Sequence, residues 1–277
     1  MRSPALLTAA ALLLFTVSPG RRGAADQPAA PDSAALARIT EEARRTLSGA
    51  LRPGPLKVGE DLTFDVHYGM IHAGEAHLQI LGVGSGPGAS SRVYHLRSLA
   101  RSTGLFGRIY DVNDRIDSQL DSVGLMSLEL EKHLHEGSYH QEQHIHFDYT
   151  EGRATYASGD TIPIPGPVQD DLSAFYVARC LDLRENQVFY LETHSNKVTY
   201  PMQVRVYERE KLRTDLGEFD CFKVEPRVDR GGIFKRAGGM LIWMTADERH
   251  LPVRLRSKLP LGAITADLVS VQPGEAR

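Results

Sequence analysis

The sequence has 277 residues, of which 42% are hydrophobic and 24% are charged, and its formal net charge is −3. These proportions are typical of a soluble globular domain and unlike those of a disordered chain or a bundle of membrane helices. The small excess of acidic residues argues against a nucleic-acid partner, because binding to phosphates requires concentrated positive charge.

The chain opens with the features of a secretory signal peptide. Arg2 precedes an apolar run over 5–17, and the small residues Gly23, Ala24 and Ala25 follow. This order predicts residues 1–25 as a signal peptide, cleaved after about Ala25, and hence a soluble periplasmic or secreted protein. The apolar run is shorter than the roughly 20 residues of a spanning helix, and an uncleaved anchor is the alternative. Residues 26–56 are predicted to be a linker with one helical candidate over 33–51.

Residues 57–277 are predicted to form a single domain composed almost entirely of strands. The clearest strand is the first, where Leu62, Phe64, Val66 and Tyr68 alternate with polar residues, and a turn over 69–74 follows it. The predicted strands are 61–68, 75–83, 93–102, 112–120, 126–135, 138–149, 153–157, 188–192, 197–207, 211–214, 219–225, 240–245, 253–258 and 263–271. Short strands at this spacing indicate a mainly β fold: a strongly curved antiparallel sheet or half-open β-barrel.

One helix interrupts the predicted strands. Asp170 or Asp171 can cap its start, and Leu172, Phe175 and Tyr176 begin an apolar stripe that continues to about residue 183. Because such a stripe has to be buried, we expect this helix to pack against the curved sheet as a plug or a lid.

Four segments resemble, in the same order, an exported bacterial family known only as domain-of-unknown-function family 3108. They are GEDLTFDVHYGMIHAGEA at 59–76, LSAFYVAR at 172–179, LGEFDCFKV at 216–224 and GMLIWMTADERHLPV at 239–253. The last segment is also similar, more remotely, to the carriers and sensors of bacterial lipoprotein sorting. That second resemblance implies a half-open barrel whose helical lids help it to hold acyl chains, although a shared fold does not establish a shared function.

The concave face of such a sheet could bind an apolar or amphipathic ligand. The candidate lining residues are Phe64, Val66, Tyr68, Leu78, Ile80, Tyr176 and Trp243. The same residues could equally form a packed core, because periodicity does not distinguish a filled interior from an open one.

Two glycine-containing loops place apolar residues beside basic ones. They contribute Leu105 and Phe106 in the first loop, and Ile233, Phe234, Lys235 and Arg236 in the second. Such loops suit transient contact with a membrane surface or the gating of a lipid pocket. The alternative is that their apolar side chains fold back onto the core.

A hairpin rich in histidine and glutamate suggests a metal site. If Glu136 and Gly137 form a two-residue turn, cross-strand neighbours on one face lie within about 5.5 Å of each other at Cβ. The candidate ligands for zinc or another borderline divalent ion are Glu131, His133, His140, Glu142 and His144. A solvated polar face and a patch that gains charge in acid are the alternatives.

The sequence offers no recognisable catalytic motif, so we do not expect an enzyme, and we expect no cofactor. The pair Cys180 and Cys221 can either form a disulfide in an oxidising compartment or remain buried thiols. The favoured hypothesis is an exported, non-enzymatic envelope protein that binds a lipid or another amphipathic small molecule. The alternatives are an envelope assembly protein with a filled core, which binds a protein partner, and the metal binder.

Overall fold

The computed structural model describes residue 41, residue 51, and residues 54–85, 92–228, 239–259 and 262–275. The predicted signal peptide, most of the predicted leader helix, and the predicted lid residues Ile233, Phe234, Lys235 and Arg236 lie outside these ranges. None of the helices in the described part of the chain is long and apolar enough to cross a bilayer.

The described residues form fourteen strands and two helices. In chain order they are β1 (Asp61–Tyr68), β2 (Ile71–Ser85), β3 (Arg92–Ser102), α1 (Gly104–Ile109), β4 (Asn113–Asp121), β5 (Ser127–Glu136), β6 (Tyr139–Asp148), β7 (Arg153–Tyr156), β8 (Thr161–Pro163), α2 (Asp171–Arg179), β9 (Val188–Ser195), β10 (Val198–Thr214), β11 (Gly217–Val228), β12 (Met240–Thr245), β13 (Pro252–Lys258) and β14 (Ala263–Gln272).

All fourteen strands belong to one antiparallel sheet. Their order is β8-β7-β6-β5-β4-β3-β2-β1-β14-β13-β12-β11-β10-β9, so the first and last strands of the chain pair with each other and the sheet stays open between β8 and β9. The predicted mainly β fold with a curved antiparallel sheet is therefore confirmed.

Side chains join the two edges of the open sheet. The backbone N–H of Lys197 donates to the Tyr156 hydroxyl at 2.8 Å, and the Tyr156 oxygen lies 2.8 Å from Nε2 of His194. The Nδ1 atom of His194 lies 2.7 Å from the Thr199 hydroxyl. Gln169 also adds a parallel bridge to Thr193 of β9. The sheet thus curves almost into a barrel, with a seam held by the side chain of Tyr156 and by backbone hydrogen bonds of Gln169 with Glu192 and His194.

Several predicted boundaries need correction. The turn after β1 is confined to Gly69 and Met70, and β2 already begins at Ile71. The two strands predicted over 197–207 and 211–214 are one strand, β10, because a bulge between Val206 and Arg209 keeps the pairing with β11 through the charged stretch. Strand β8 and helix α1 were not predicted.

Helix α2 fills part of the concave side of the sheet. All nine of its residues are buried, including Asp171, Ser173 and Arg179. Its cap is Asp170, whose side chain accepts hydrogen bonds from the backbone N–H groups of Leu172 and Ser173 at 2.8 Å. This confirms the predicted helix packed against the sheet, and it places the predicted apolar stripe in the core of the domain.

Candidate functional site: an apolar rim at one end of the sheet

Most of the predicted ligand-lining residues lie in the packed core. Phe64, Val66, Leu78, Ile80 and Tyr176 are all at most 8% exposed. The Tyr176 hydroxyl donates to the backbone oxygen of residue 79 at 3.1 Å, and burial raises the pKa of Tyr176 well above its ordinary value. The structure therefore brings these five residues together between α2 and the sheet. Whether they ever contact a ligand stays a prediction.

Trp243, also predicted to line the interior, is 7% exposed and belongs to the hydrophobic core, but its polar contacts differ from those of the other five residues. Its neighbours along β12, Ile242 and Met244, belong to the other face, and its cross-strand partners are Lys223 and Arg254. The indole N–H of Trp243 donates to Glu210, which also binds Lys223. Whether Trp243 contacts a ligand stays a prediction.

Charged groups hold both ends of α2 inside the sheet. At its start, the Ser118 and Ser127 hydroxyls donate to Asp170, and Lys132 forms an ion pair with Asp171, both side chains being at most 1% exposed. Burial raises the pKa of Asp170, an effect that the serine hydrogen bonds oppose. Asp170, Asp171 and Lys132 each bind another member of this cluster, although the Oδ1 atom of Asp171 has no hydrogen-bond partner among the described residues, so the cluster is best described as an anchor for the helix.

Four large apolar side chains are exposed at one end of the sheet. Met70 is 100% exposed, Ile71 58%, Leu105 73% and Ile109 80%. We call these four residues the apolar rim. Single exposed apolar residues are common, whereas contiguous exposed apolar patches are typical of binding surfaces.

Helix α1 brings the rim together. The backbone N–H of Thr103 donates to the Ala73 oxygen at 3.0 Å, which ties the start of α1 to β2. The Phe106 ring lies 6.5 Å from the Tyr68 ring, and Tyr68 pairs with Ile71 across the β1–β2 hairpin. Leu105 and Ile109 are four residues apart and therefore share one side of the helix, whereas Phe106 points towards Tyr68.

The predicted lid loop at 104–108 therefore agrees in part with each of the two interpretations given to it. Leu105 is exposed, as a surface contact requires, whereas Phe106 folds back and packs against the core, contacting the rings of Tyr68 and Tyr110. Tyr68, predicted to line the interior, supports the rim from below. Sequence reasoning did not identify Met70, Ile71 or Ile109. The four-residue spacing of Leu105 and Ile109 was an available signal, but Gly104 and Gly107 argued against a helix.

The histidine-rich hairpin has a different register from the one predicted. The turn is formed by Gly137 and Ser138, so His133 lies opposite Glu142, and Glu131 lies opposite His144. The shift of two residues keeps all these side chains on the outer face. His133 lies 2.5 Å from Glu131, and this contact lowers the pKa of the Glu131 carboxyl. Within the described ranges, no group of three or more His, Cys, Asp or Glu side chains is placed so that it could hold a metal ion.

The two cysteines are buried, unpaired thiols. Burial raises the pKa of both Cys180 and Cys221 to about 12. Of the two interpretations left open by the sequence, the structure therefore supports the thiols and gives no disulfide between them.

Comparison with protein families identifies the chain. The model of a family described as a protein of unknown function, DUF3108, matches residues 63–269, which includes every strand from β2 to β13. The chain belongs to the DUF3108 family. No curated protein matches this member of the family.

Solved structures with a similar shape are known. A β-barrel-like protein of domain of unknown function DUF1849 from Brucella abortus is 8% identical, with 77% of this chain and 97% of that chain covered and a TM-score of 0.51. This likeness supports the β-barrel-like fold of the DUF3108 protein and nothing further.

Two more distant structures are described as a proposed lipoprotein from Parabacteroides distasonis and a proposed exported protein with a YmcC-like fold from Bacteroides fragilis. The first is 14% identical, covers 80% of this chain and 99% of its own, and has a TM-score of 0.36. The second is 11% identical, covers 81% and 100%, and has a TM-score of 0.31. At this overlap neither says anything about the function of the DUF3108 protein.

Proposed function

We propose that this DUF3108 protein is an exported, non-enzymatic envelope protein that binds the acyl chain of an amphipathic lipid at its apolar rim. The observation that carries the proposal is the exposure of Met70, Ile71, Leu105 and Ile109 together at one end of the sheet. The predicted signal peptide supports the exported location, and it would bring the mature protein to the compartment where envelope lipids are exchanged.

The chemistry of the rim suits an acyl chain with an acidic head. All four rim residues have apolar side chains without a ring, which can pack against a methylene chain. Arg108, in the last turn of α1, is exposed beside them and can bind a carboxylate or a phosphate. Covering four such side chains is worth on the order of 6–12 kcal/mol before the costs of ordering the ligand. Since those costs offset much of this gain, we expect a dissociation constant in the micromolar range or weaker.

Titration with a fluorescent dansyl-undecanoic acid tests the proposal. The double variant Leu105→Asp/Ile109→Asp puts two charges on the rim, and we expect it to weaken binding at least ~10-fold. The matched control is Val123→Asp, since Val123 is also 80% exposed but lies in the β4–β5 turn at the opposite end of the sheet. The proposal fails if wild type and both variants bind the probe equally.

The second candidate is an assembly protein with a filled core that binds an envelope protein through its surface. The complete burial of α2 favours it, because the helix covers the side chains predicted to line a pocket. If the wild-type protein binds none of the fluorescent acid, this candidate takes precedence. Cross-linking in intact cells, with the same rim and control variants, would then test whether the rim contacts a protein.

A further inference from the structure

The apolar rim has the β13–β14 turn as a neighbour at the same end of the sheet. The backbone N–H of Gly69 in the β1–β2 turn donates to the Ala263 oxygen at 3.1 Å, which ties the two turns together. Ala263 is also the cross-strand partner of Lys258, the last residue of β13. Because neighbouring strands lie about 4.8 Å apart, Lys258 is roughly 10 Å from the β1–β2 turn.

Two exposed cations flank the rim from opposite sides. Arg108 lies in the last turn of α1 on one side, and Lys258 ends β13 on the other. Both side chains are exposed, and in the described part of the chain neither forms an ion pair with a carboxylate within 4.0 Å. The positive charge is local, because the sequence as a whole has a net charge of −3.

Four acidic side chains near this end of the sheet have basic neighbours within ion-pair distance. The pairs are Asp160 with Lys197, Asp111 with His135, Asp65 with His72 and Glu75 with His77. An anionic surface that approaches the rim would therefore meet two cations without an acidic partner, whereas each of these four acids has a basic group beside it. This distribution of charge complements a surface of negative charge.

We infer that the acyl chain bound by the apolar rim belongs to a lipid of an anionic bilayer, and that the rim is the surface by which the protein docks on that membrane. The inference rests on the proposed function and adds the source of the acyl chain. Met70 in its turn, with Leu105 and Ile109 on α1, would enter the boundary between head groups and acyl chains. Arg108 and Lys258 would contact the lipid phosphates.

The form of the rim favours a bilayer over a protein partner. Met70 is completely exposed, so its side chain projects from the surface instead of lining a groove. The four rim residues include no aromatic side chain, whereas the residues that dominate protein–protein binding are enriched in Trp, Tyr and Arg and lie in well-packed pockets. Projecting aliphatic side chains beside basic residues are the combination that interfacial membrane binding requires.

Flotation of the mature protein with phosphatidylglycerol vesicles, and with phosphatidylcholine vesicles as the neutral reference, tests the docking. We expect the wild type to prefer the anionic vesicles, and Leu105→Asp/Ile109→Asp to bind them at least ~10-fold more weakly. Lys258→Gln should weaken this binding roughly 5-fold, the loss expected for one cation near an anionic surface. The matched control is Arg213→Gln, since Arg213 is also exposed but lies beside the β10–β11 turn at the opposite end. Circular dichroism of each variant verifies the fold.

The outcomes separate this inference from the proposed function. A wild type that binds dansyl-undecanoic acid but not the anionic vesicles would overturn the inference and leave the proposed function standing, whereas a wild type that binds neither would overturn both. Equal binding to the two kinds of vesicle, or equal losses in Lys258→Gln and Arg213→Gln, would also overturn the inference. A dimer in size-exclusion chromatography that Leu105→Asp/Ile109→Asp dissociates would assign the rim to a second copy of the chain instead.

Discussion

The C-terminal end of helix α2 depends on one buried ion pair. Arg179 is fully buried, and its guanidinium donates two hydrogen bonds to Glu60, at 2.6 Å to Oε1 and 2.9 Å to Oε2. Burial works against ionisation of the arginine, but Glu60 keeps the pKa of Arg179 above its ordinary value. The backbone oxygen of Arg179 also accepts a hydrogen bond of 2.7 Å from Nδ1 of His250.

Replacing Glu60 by alanine would leave the Arg179 charge buried without its partner. Loss of one member of a buried pair costs about 3–5 kcal/mol, which is about a fifth or more of the stability of an ordinary domain. We therefore expect Glu60→Ala to lower the free energy of unfolding by that amount. The double variant Glu60→Leu/Arg179→Met should recover much of the loss, because it removes both charges together.

Urea denaturation of the mature protein, followed by the fluorescence of its single tryptophan, measures these changes. The control is Arg184→Ala, since Arg184 pairs with Asp182 at the surface and its side chain is 72% exposed. This control should change stability by no more than about 0.5 kcal/mol. If Glu60→Ala cost less than about 1 kcal/mol, α2 could not be held in the sheet by this pair, and the reasoning would be refuted.

Three further predictions concern the seam, the thiols and one close approach. Burial lowers the pKa of His194 to about 4 from 6.5. Neutral His194 therefore contributes about 3 kcal/mol to the free energy of unfolding above pH 6.5, and this contribution is lost as the pH falls towards 4. Denaturation midpoints across that interval should fall with pH, and His194→Gln should reduce this dependence. Cys180 and Cys221 should react with a thiol reagent only after unfolding, and a reaction of the folded protein would contradict their burial. A Cβ on Gly74 would lie 2.0 Å from a backbone oxygen of β3, whereas a Cβ on Gly82 would meet nothing within 4 Å. Gly74→Ala should therefore lower the free energy of unfolding by at least ~2 kcal/mol, measured by denaturation. Equal effects of Gly74→Ala and Gly82→Ala would count against this close approach of β2 and β3.

The sequence predicted the strands where one face is buried and the alternation is regular. The alternation of Leu62, Phe64 and Val66 located β1 within its observed bounds. It could not show that Trp243, although buried, has the polar cross-strand partners Lys223 and Arg254. The hairpin at Gly137 shows a similar limit: two adjacent turn positions were plausible, and only the folded backbone selects one.

The candidate site was less predictable than the fold. Leu105 was identified because it lies in a glycine-containing loop with a basic residue. The other three rim residues were missed because the rim depends on how α1 packs against the β1–β2 hairpin, and that packing joins segments about thirty residues apart in the chain. The anchors of α2 were also missed, since nothing in the local sequence links Glu60 to Arg179. Local patterns predict elements, but contacts between distant segments need the structure.

Photo-cross-linking with a diazirine derivative of palmitate, followed by peptide mapping, tests most directly whether the apolar rim binds an acyl chain. We expect the label on peptides that contain Met70 and Ile71 and on those that contain Leu105 and Ile109, with competition by unlabelled palmitate. Label concentrated on α2, or on the opposite end around Val123, would contradict the proposal.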